Sequence, residues 1–226
     1  MRHGKKYLDK LKKYDPTASY GLQEALDLVK ALATAQFDET VDLSVKLNLK
    51  KSQSVRDTVV LPHQFRGEKR ILVFCKAEKE KEAQEAGATY IGAEDLIDKI
   101  KGGWLDFDVA VATPDMMKDV GKLGMVLGRR GLMPNPKTGT VTFDLKGALA
   151  ELRKGRTEFR ADKTGVVHLA VGKISMESAK VAENIKTAVS EIKRKRPLDA
   201  KGEFIRTISV ASTMGCGVWV SIKDEE

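Results

Sequence analysis

The hydrophobic period of the chain changes twice, and this change constrains the fold more than any other feature. Residues 41–49 alternate strictly between apolar and polar side chains, which predicts a strand with one buried face. Residues 71–75 (ILVFC) are instead continuously apolar, as in a strand that is buried on both faces. Alternating patterns return after residue 157. The two ends of the chain therefore share one style of sheet, and the middle has another.

The domain boundaries follow from this change of style. Strand and helix patterns alternate through the middle segment, which predicts a small α/β domain with a parallel sheet. We therefore expect residues 1–66 and 157–226 to form one discontinuous domain, into which residues 67–156 are inserted as a second. The terminal domain is predicted to have an α+β fold with an antiparallel, split βαβ-like sheet.

Local patterns place the elements of the terminal domain. The predicted helices cover residues 4–14, 22–33 and 175–196, and the predicted strands cover residues 41–49, 55–61, 158–162, 166–171, 206–212 and 217–222. In the first helix, Tyr7, Leu8 and Leu11 are expected to form the apolar face. The short Lys-Thr-Gly connection at 163–165 predicts a hairpin between the strands on either side of it.

The charge of the chain favours a polyanionic partner. Forty Lys and Arg residues against 32 Asp and Glu residues give a formal net charge of +8. The middle segment has 16 basic and 14 acidic residues, a net +2, which leaves +6 for the two ends together. The terminal domain is therefore the better candidate for polyanion binding. The basic run at 193–196 is interpreted as a solvated helix end that also suits the helix dipole, with RNA contact as the alternative.

A glycine-rich segment, residues 121–139, follows the third strand of the middle domain. Such a segment either builds a shaped surface loop or receives phosphate. Its glycine spacing matches neither GxGxxG nor GxxxxGK[ST], the two common nucleotide loops. A nucleotide-binding enzyme would carry its phosphate loop directly after residues 71–75, where the sequence KAEKEKEAQEAG lacks the needed glycines. We therefore expect no nucleotide cofactor and no enzymatic activity.

Other function classes also lack their residues. His3, His63 and His168 lie far apart, without Cys or carboxylate residues at ligand spacing, so no metal site is expected. Cys75 and Cys216 lie in apolar runs and are predicted to be buried, unpaired core residues, as in a reducing compartment. No apolar run approaches the ~18–20 residues of a membrane span. A cytoplasmic location is expected.

Several motifs resemble one protein family. The segment GRRGLMPNPKTGTV (128–141) is similar to the central motif of the L-one family of ribosomal proteins, the stalk proteins of the large subunit, in its bacterial form. Further matches occur in the family's order: TAQFDETVDLSVKL (34–47), DFDVAVATPDMM (106–117), EFRADKTGVVH (158–168) and TMGCGV (213–218). The chain is identified as a member of this family over nearly its whole length.

The resemblance implies a fold and a function. It implies an inserted domain that is Rossmann-like but has no cofactor, and a non-enzymatic protein that is monomeric within the large ribosomal subunit. Members of the family bind a hairpin region of large-subunit ribosomal RNA and form the mobile stalk that assists release of tRNA from the exit site. The bacterial form also represses translation of its own operon mRNA. A generic basic RNA chaperone is the competing interpretation, and it would show little preference between RNA hairpins.

The resemblance also implies the site. The expected RNA contacts are Phe37, Thr40, Arg160, Lys163, Thr164, His168, Ser212, Thr213, Met214 and Gly215. A secondary contact to RNA or tRNA is expected at Arg129, Arg130 and Lys137. Short hydroxyl side chains and exposed main chain suit the shallow minor groove of RNA, which displays 2′-hydroxyl groups, and the basic residues suit phosphates.

Overall fold

The computed structural model describes residues 4–50, 53–67, 69–197 and 202–221. The helices are α1 (Lys5–Leu11), α2 (Leu22–Leu32), α3 (Ala77–Glu85), α4 (Glu94–Lys101), α5 (Met117–Val120), α6 (Gly124–Arg129), α7 (Leu145–Arg153) and α8 (Ser178–Arg194). The strands are β1 (Ser19–Tyr20), β2 (Thr40–Leu47), β3 (Arg56–Val60), β4 (Ile71–Phe74), β5 (Tyr90–Gly92), β6 (Val109–Ala112), β7 (Arg156–Arg160), β8 (Val166–Lys173), β9 (Ile205–Ser212) and β10 (Val218–Val220).

The chain divides into two compact units, Met1–Phe65 with Glu158–Glu226 and Arg66–Thr157. The first unit contains a five-stranded sheet in the order β1-β10-β9-β2-β8, in which only the β1–β10 pair is parallel. The second unit contains a three-stranded parallel sheet in the order β5-β4-β6. The fold is therefore mixed α/β with several sheets.

One face of the five-stranded sheet builds the core of the first unit. Every second residue of β2, from Val41 to Leu47, is buried, as the alternation predicts. These side chains pack with the buried faces of α2 and α8 in one apolar cluster. The intervening residues of β2, Asp42, Ser44 and Lys46, lie on the other face and are only half-buried. That second face is where polar groups remain accessible.

The predicted hairpin at 163–165 is present only as a short turn: Ala161 forms an isolated antiparallel bridge with Val167, and the Asp162 N–H donates to the Val166 carbonyl at 2.9 Å, but the pairing goes no further. Strand β7 pairs with β3 in a separate two-stranded sheet, whereas β8 pairs with β2. Asp162 holds this turn, because its carboxylate accepts hydrogen bonds from the backbone N–H groups of Thr164 (2.8 Å) and Val166 (2.7 Å). Gly165 adopts a positive φ of 80° there, and the chain passes from one sheet to the other.

Helix α1 is shorter than predicted, and its apolar face is not Tyr7 and Leu8. Both side chains are exposed, by 37% and 46%, whereas Lys10 is buried with 8% exposure. A lysine can bury its aliphatic stem when its ammonium group reaches a polar partner, and the Lys10 Nζ donates a hydrogen bond to the Met214 carbonyl oxygen. This contact with the chain around Met214 helps to bury the Lys10 side of α1, and Leu11, the third residue of the predicted apolar face, is half-buried.

In the second unit, β4 lies at the centre of its sheet and all four of its residues are buried. Leu72 and Phe74 join one apolar cluster, and Ile71 and Val73 join another. This division explains the continuous apolar run, because successive side chains of a strand point to opposite faces and both faces are covered.

The glycine-rich segment is largely helical, so the expectation of a shaped loop is wrong for its first half. Gly121–Leu123 form a 3-10 turn, and α6 follows without a break, while Pro136–Thr138 form a second 3-10 turn. Val120, Leu123 and Leu127 are buried at helical spacing and anchor this stretch despite its glycines.

Three other predictions concern the cysteines, membrane spans and metal sites. Cys75 and Cys216 are both buried and free, which confirms them as core residues. Among the described helices, none combines the length and the hydropathy of a membrane span. The described residues contain no cluster of His, Cys, Asp and Glu side chains that could hold a metal ion. His3 lies outside the described residues.

Candidate nucleic-acid interface

The predicted RNA contacts of the first unit form two groups, and strand β2 connects them. The first group lies where β2 begins and β9 ends: Phe37, Thr40 and the turn Ser212–Gly215. The second group lies at the Asp162 turn and on β8: Arg160, Lys163, Thr164 and His168. Thr40 and Ser44, the β2 residue opposite His168, are four positions apart, which is about 14 Å along a strand.

Reciprocal hydrogen bonds hold the first group together. The backbone N–H of Thr40 donates to the Thr213 hydroxyl at 3.0 Å, and the Thr213 N–H donates to the Thr40 carbonyl at 3.1 Å. The N–H of Gly215 closes a tight turn onto the Ser212 carbonyl at 3.0 Å. A Cβ atom at Gly215 would lie 2.2 Å from the Ser212 hydroxyl oxygen, so any other residue there would displace the Ser212 side chain. The turn is therefore rigidly built.

This turn presents Met214, and the loop before β2 presents Phe37. The two side chains are 66% and 56% exposed, respectively. Both are large and apolar, and a folded protein gains nothing by leaving them in water. Exposed apolar side chains beside hydroxyl and main-chain donors are suited to packing against sugars or bases. Ser212 is buried, unlike its neighbours, and its role as a direct contact stays a prediction.

A buried carboxylate lies beneath both side chains. Glu39 is 1% exposed, and its Oε1 accepts a hydrogen bond from the Ala35 N–H at 3.1 Å while its Oε2 accepts one from the Met214 N–H at 2.9 Å. One oxygen thus holds the loop of Phe37 and the other holds the turn of Met214. The Lys10 Nζ donates to the Met214 carbonyl at 3.4 Å, so the main chain of Met214 is held on both sides.

The charge of Glu39 follows from these contacts. Burial raises the pKa of its carboxyl group, but hydrogen-bonding groups of Ser212, Met214, Ala35 and Thr34 outweigh burial and hold the pKa below its usual value. The Ser212 hydroxyl acts here mainly as a nearby dipole, because its oxygen makes no hydrogen bond of proper geometry within the described part of the chain. Glu39 is therefore an anion at neutral pH.

The second group is ordered by the Asp162 turn. Hydrogen bonds from the Val166 N–H and from Thr164 lower the pKa of Asp162, so its charge serves the turn. The Lys46 Nζ on β2 donates to the Thr164 carbonyl at 2.5 Å, and the Ser44 hydroxyl lies 3.0 Å from the His168 Nδ1. The side chains of Arg160, Lys163, Thr164 and His168 are all exposed. Two cations and a histidine are thus available to phosphates.

The predicted secondary contact lies in the second unit. Arg129 is the last residue of α6 and Arg130 follows it, while Lys137 lies in the 3-10 turn and its own N–H donates to the Asn135 side-chain oxygen at 2.9 Å. All three side chains are exposed. This places three cations on the surface of that unit.

Comparison with known proteins gives the family. Residues 29–216 match the model of the ribosomal protein L1p/L10e family. The chain belongs to this family. It is 65% identical over 223 residues to the large ribosomal subunit protein uL1 of Treponema denticola, with 99% of each chain covered. It is 59% identical over the whole of both chains to the uL1 protein of Treponema pallidum subsp. pallidum, and 58% identical over 217 residues to that of Borrelia duttonii, with 96% of this chain and 97% of the relative covered.

Membership of the L1p/L10e family confirms the predicted resemblance. Proteins of this family are structural components of the large ribosomal subunit, so the chain is a ribosomal protein and not an enzyme. Bacterial ribosomes are cytoplasmic, and the predicted location follows from membership.

The structure adds residues of this L1p/L10e chain that the sequence prediction missed: Lys10, Glu39, Ser44 and Lys46. A signal for Glu39 was present. Glu39, Val41 and Leu43 are every second residue of the chain. If the alternation of β2 is continued to residue 39, it therefore places the Glu39 carboxylate on the buried face. A buried carboxylate requires donors, and its donors come from the two loops that carry the predicted contacts.

Proposed function

We propose that this chain binds a hairpin region of large-subunit ribosomal RNA through the first unit. The observation that carries the proposal is the built turn at Thr213–Gly215, which holds Met214 in solvent and is tied through Glu39 to the loop of Phe37. Ordering a contact surface before binding lowers the entropic cost of association.

The chemistry of the interface suits RNA. The Thr213 hydroxyl and the main chain at Gly215 can hydrogen-bond to 2′-hydroxyl groups, and Phe37 and Met214 can pack on sugars or bases. Arg160 and Lys163 can neutralise phosphates, which supplies affinity but little sequence information. The combination of shape-reading and phosphate-binding groups favours specific binding over that of a generic chaperone.

We further propose the family's larger roles for this chain. Residues 67–156 form a Rossmann-like inserted domain without cofactor, and residues 1–66 with 157–226 form the RNA-binding domain. As part of the mobile stalk, the protein assists tRNA release from the exit site, with Arg129, Arg130 and Lys137 as a secondary contact to RNA or tRNA. Gly67 and Gly155 lie close to the two chain crossings, and Gly155 has a positive φ of 83°, which suits a hinge. Repression follows if the operon mRNA mimics the ribosomal hairpin.

The test begins with chemical footprinting of the protein on large-subunit ribosomal RNA and continues with the protected fragment in a filter-binding assay. We expect Thr213→Ala and Met214→Asp to weaken binding at least about tenfold, equivalent to ~1.4 kcal/mol, without changing the fold. Thr213→Ser is the matched control, because it keeps the hydroxyl that Thr40 contacts. Unchanged affinity in both variants would remove this turn from the site, and equal affinity for unrelated hairpins at fixed salt would support the chaperone instead.

A further inference from the structure

A row of outward-facing residues crosses the sheet from His168 to a tryptophan. His168 on β8 lies opposite Ser44 on β2, Ser44 lies opposite Ser209 on β9, and Ser209 lies opposite Trp219 on β10. Because neighbouring strands are ~4.8 Å apart, the row is about 14 Å long. A predicted RNA contact stands at one end, and an aromatic side chain stands at the other.

Trp219 is exposed on the face that the helices leave open. It is 41% exposed, whereas its neighbours Val218 and Val220 are buried in the core. The two residues between it and His168 are serines, whose small side chains leave the surface of the sheet low. A flat ring at the border of a low polar surface is accessible to a second planar group, and stacking on aromatic rings is how proteins bind unpaired bases.

A basic groove lies beside Trp219. It has a volume of about 800 Å³, and its lining includes Trp219 together with Lys193, Arg196 and Arg206. Glu203 is the acidic residue in this lining. Lys193 and Arg196 belong to the basic run at the end of α8, which the turn at Met214 does not use. The groove therefore offers positive charge next to the exposed ring.

We propose that Trp219 stacks on an unpaired RNA base and that the groove holds the adjacent phosphates. The RNA strand that flanks the bound hairpin would cross the open face of the sheet from His168 towards β10. RNA fits better than an acidic peptide, because a peptide would use the cations but leave the aromatic ring and the row to His168 unexplained. This inference rests on the proposed RNA-binding function and extends its interface across the same open face of the sheet to β10.

Intrinsic fluorescence tests the contact directly, because the chain has two tryptophans. Trp104 packs against Tyr90 and Phe107 with ring centroids 4.8 Å and 5.7 Å apart, so Trp104→Phe keeps an aromatic ring there and leaves Trp219 as the only reporter. In this variant we expect the footprinted RNA fragment to quench the emission of Trp219 with the same midpoint as binding measured by fluorescence anisotropy of labelled RNA.

Substitutions then separate stacking from general packing. Trp219→Phe should keep the affinity within about threefold, whereas Trp219→Leu should lower it by roughly five- to 150-fold, the range for one base–aromatic stack. The loss should disappear when the fragment is trimmed to its paired core. Thermal unfolding of both variants monitors the fold.

The outcomes distinguish a failure of RNA binding from a failure of the Trp219 stacking contact. If the wild-type protein fails to bind the fragment by anisotropy, the proposed function itself fails. If the Trp104→Phe protein binds with full affinity but the emission is unchanged and Trp219→Leu binds like wild type, only the stacking contact is overturned. Quenching by an acidic peptide with no quenching by RNA would also overturn it.

Discussion

Glu39 shows how one buried charge can organise an exposed surface. Its two oxygens accept hydrogen bonds from two loops that are 179 positions apart in the chain at Ala35 and Met214. Burial of an ion is costly unless donors compensate it, so the sites of those donors are strongly constrained. The positions of Phe37 and Met214 therefore depend on a residue that solvent, and RNA, cannot reach.

We expect Glu39→Gln to weaken RNA binding about tenfold while the protein still folds. The glutamine keeps one acceptor oxygen, but its NH₂ group faces an N–H, so one loop loses its partner at a cost of ~1–3 kcal/mol in the free energy of unfolding. Asn184→Ala is the matched control: Asn184 is also fully buried, but its amide bonds to His63 and Val171 instead of the two loops. Equal loss of RNA affinity in both variants would indicate general destabilisation and contradict the positioning role.

The same variant predicts a pH dependence. The folded-state pKa of Glu39 lies below its unfolded value, so its ionised form stabilises the fold above the unfolded pKa of about 4.3, and this stabilisation is lost as the pH falls through the lower folded pKa. The difference in free energy of unfolding between wild type and Glu39→Gln, measured by urea titration, should be full at pH 7 and shrink below about pH 4.

At the scale of elements, the sequence predicts what depends on local periodicity. The buried set of β2 and the doubly buried β4 both follow from it, because alternation directly reports which faces are covered. Pairing is different: β7 and β8 are adjacent in sequence and meet only at the bridge between Ala161 and Val167, whereas β7 itself pairs with β3, a partner that no local pattern identifies. The burial of the Lys10 side of α1 likewise involves Met214, more than 200 residues away, and no local pattern contains that contact.

Helix α1 and the turn after it hold the loop of residues 213–217, the contact loop, through two side-chain hydrogen bonds. The Lys10 Nζ reaches the Met214 carbonyl, and the Tyr14 hydroxyl donates to the Gly217 carbonyl, both at 3.4 Å. Burial, with a further effect of Cys216, raises the pKa of Tyr14 to about 12, so the hydroxyl remains a donor even in alkaline solution near pH 10, where an ordinary tyrosine ionises. The two donors hold the loop on either side of Gly215.

We expect the double variant Lys10→Met and Tyr14→Phe to weaken RNA binding about two- to fivefold, because two long hydrogen bonds each contribute ~0.5 kcal/mol. Hydrogen exchange at the Met214 and Gly215 amides should become faster, while exchange in the centre of β2 stays unchanged. Lys12→Met with Lys13→Met, two exposed residues just after α1, is the control. Normal exchange at Met214 together with full affinity would show that α1 does not hold the contact loop.

The apolar clusters and the net charge of the molecule both divide along the boundary between the two units. One apolar cluster lies wholly in the first unit, and the two others lie wholly in the second. The ends of the second unit are tied within that unit, since the Lys69 Nζ donates to the Arg156 carbonyl at 2.8 Å. The predicted contacts with hydroxyl and apolar side chains belong to the first unit, and the second unit contributes only cations.

We therefore expect residues 1–66 joined to residues 157–226 by a short Gly-Ser linker to fold, and to bind the footprinted RNA within about threefold of the full chain. The first unit retains its own core, and a flexible linker that spans the closely tied ends adds little entropic cost. Isolated residues 67–156 serve as the comparison and should bind weakly, with a shallow dependence on salt that reflects few phosphate contacts. Filter binding over a series of salt concentrations measures both, and tighter binding by the 67–156 fragment would reverse the assignment of the RNA-binding unit.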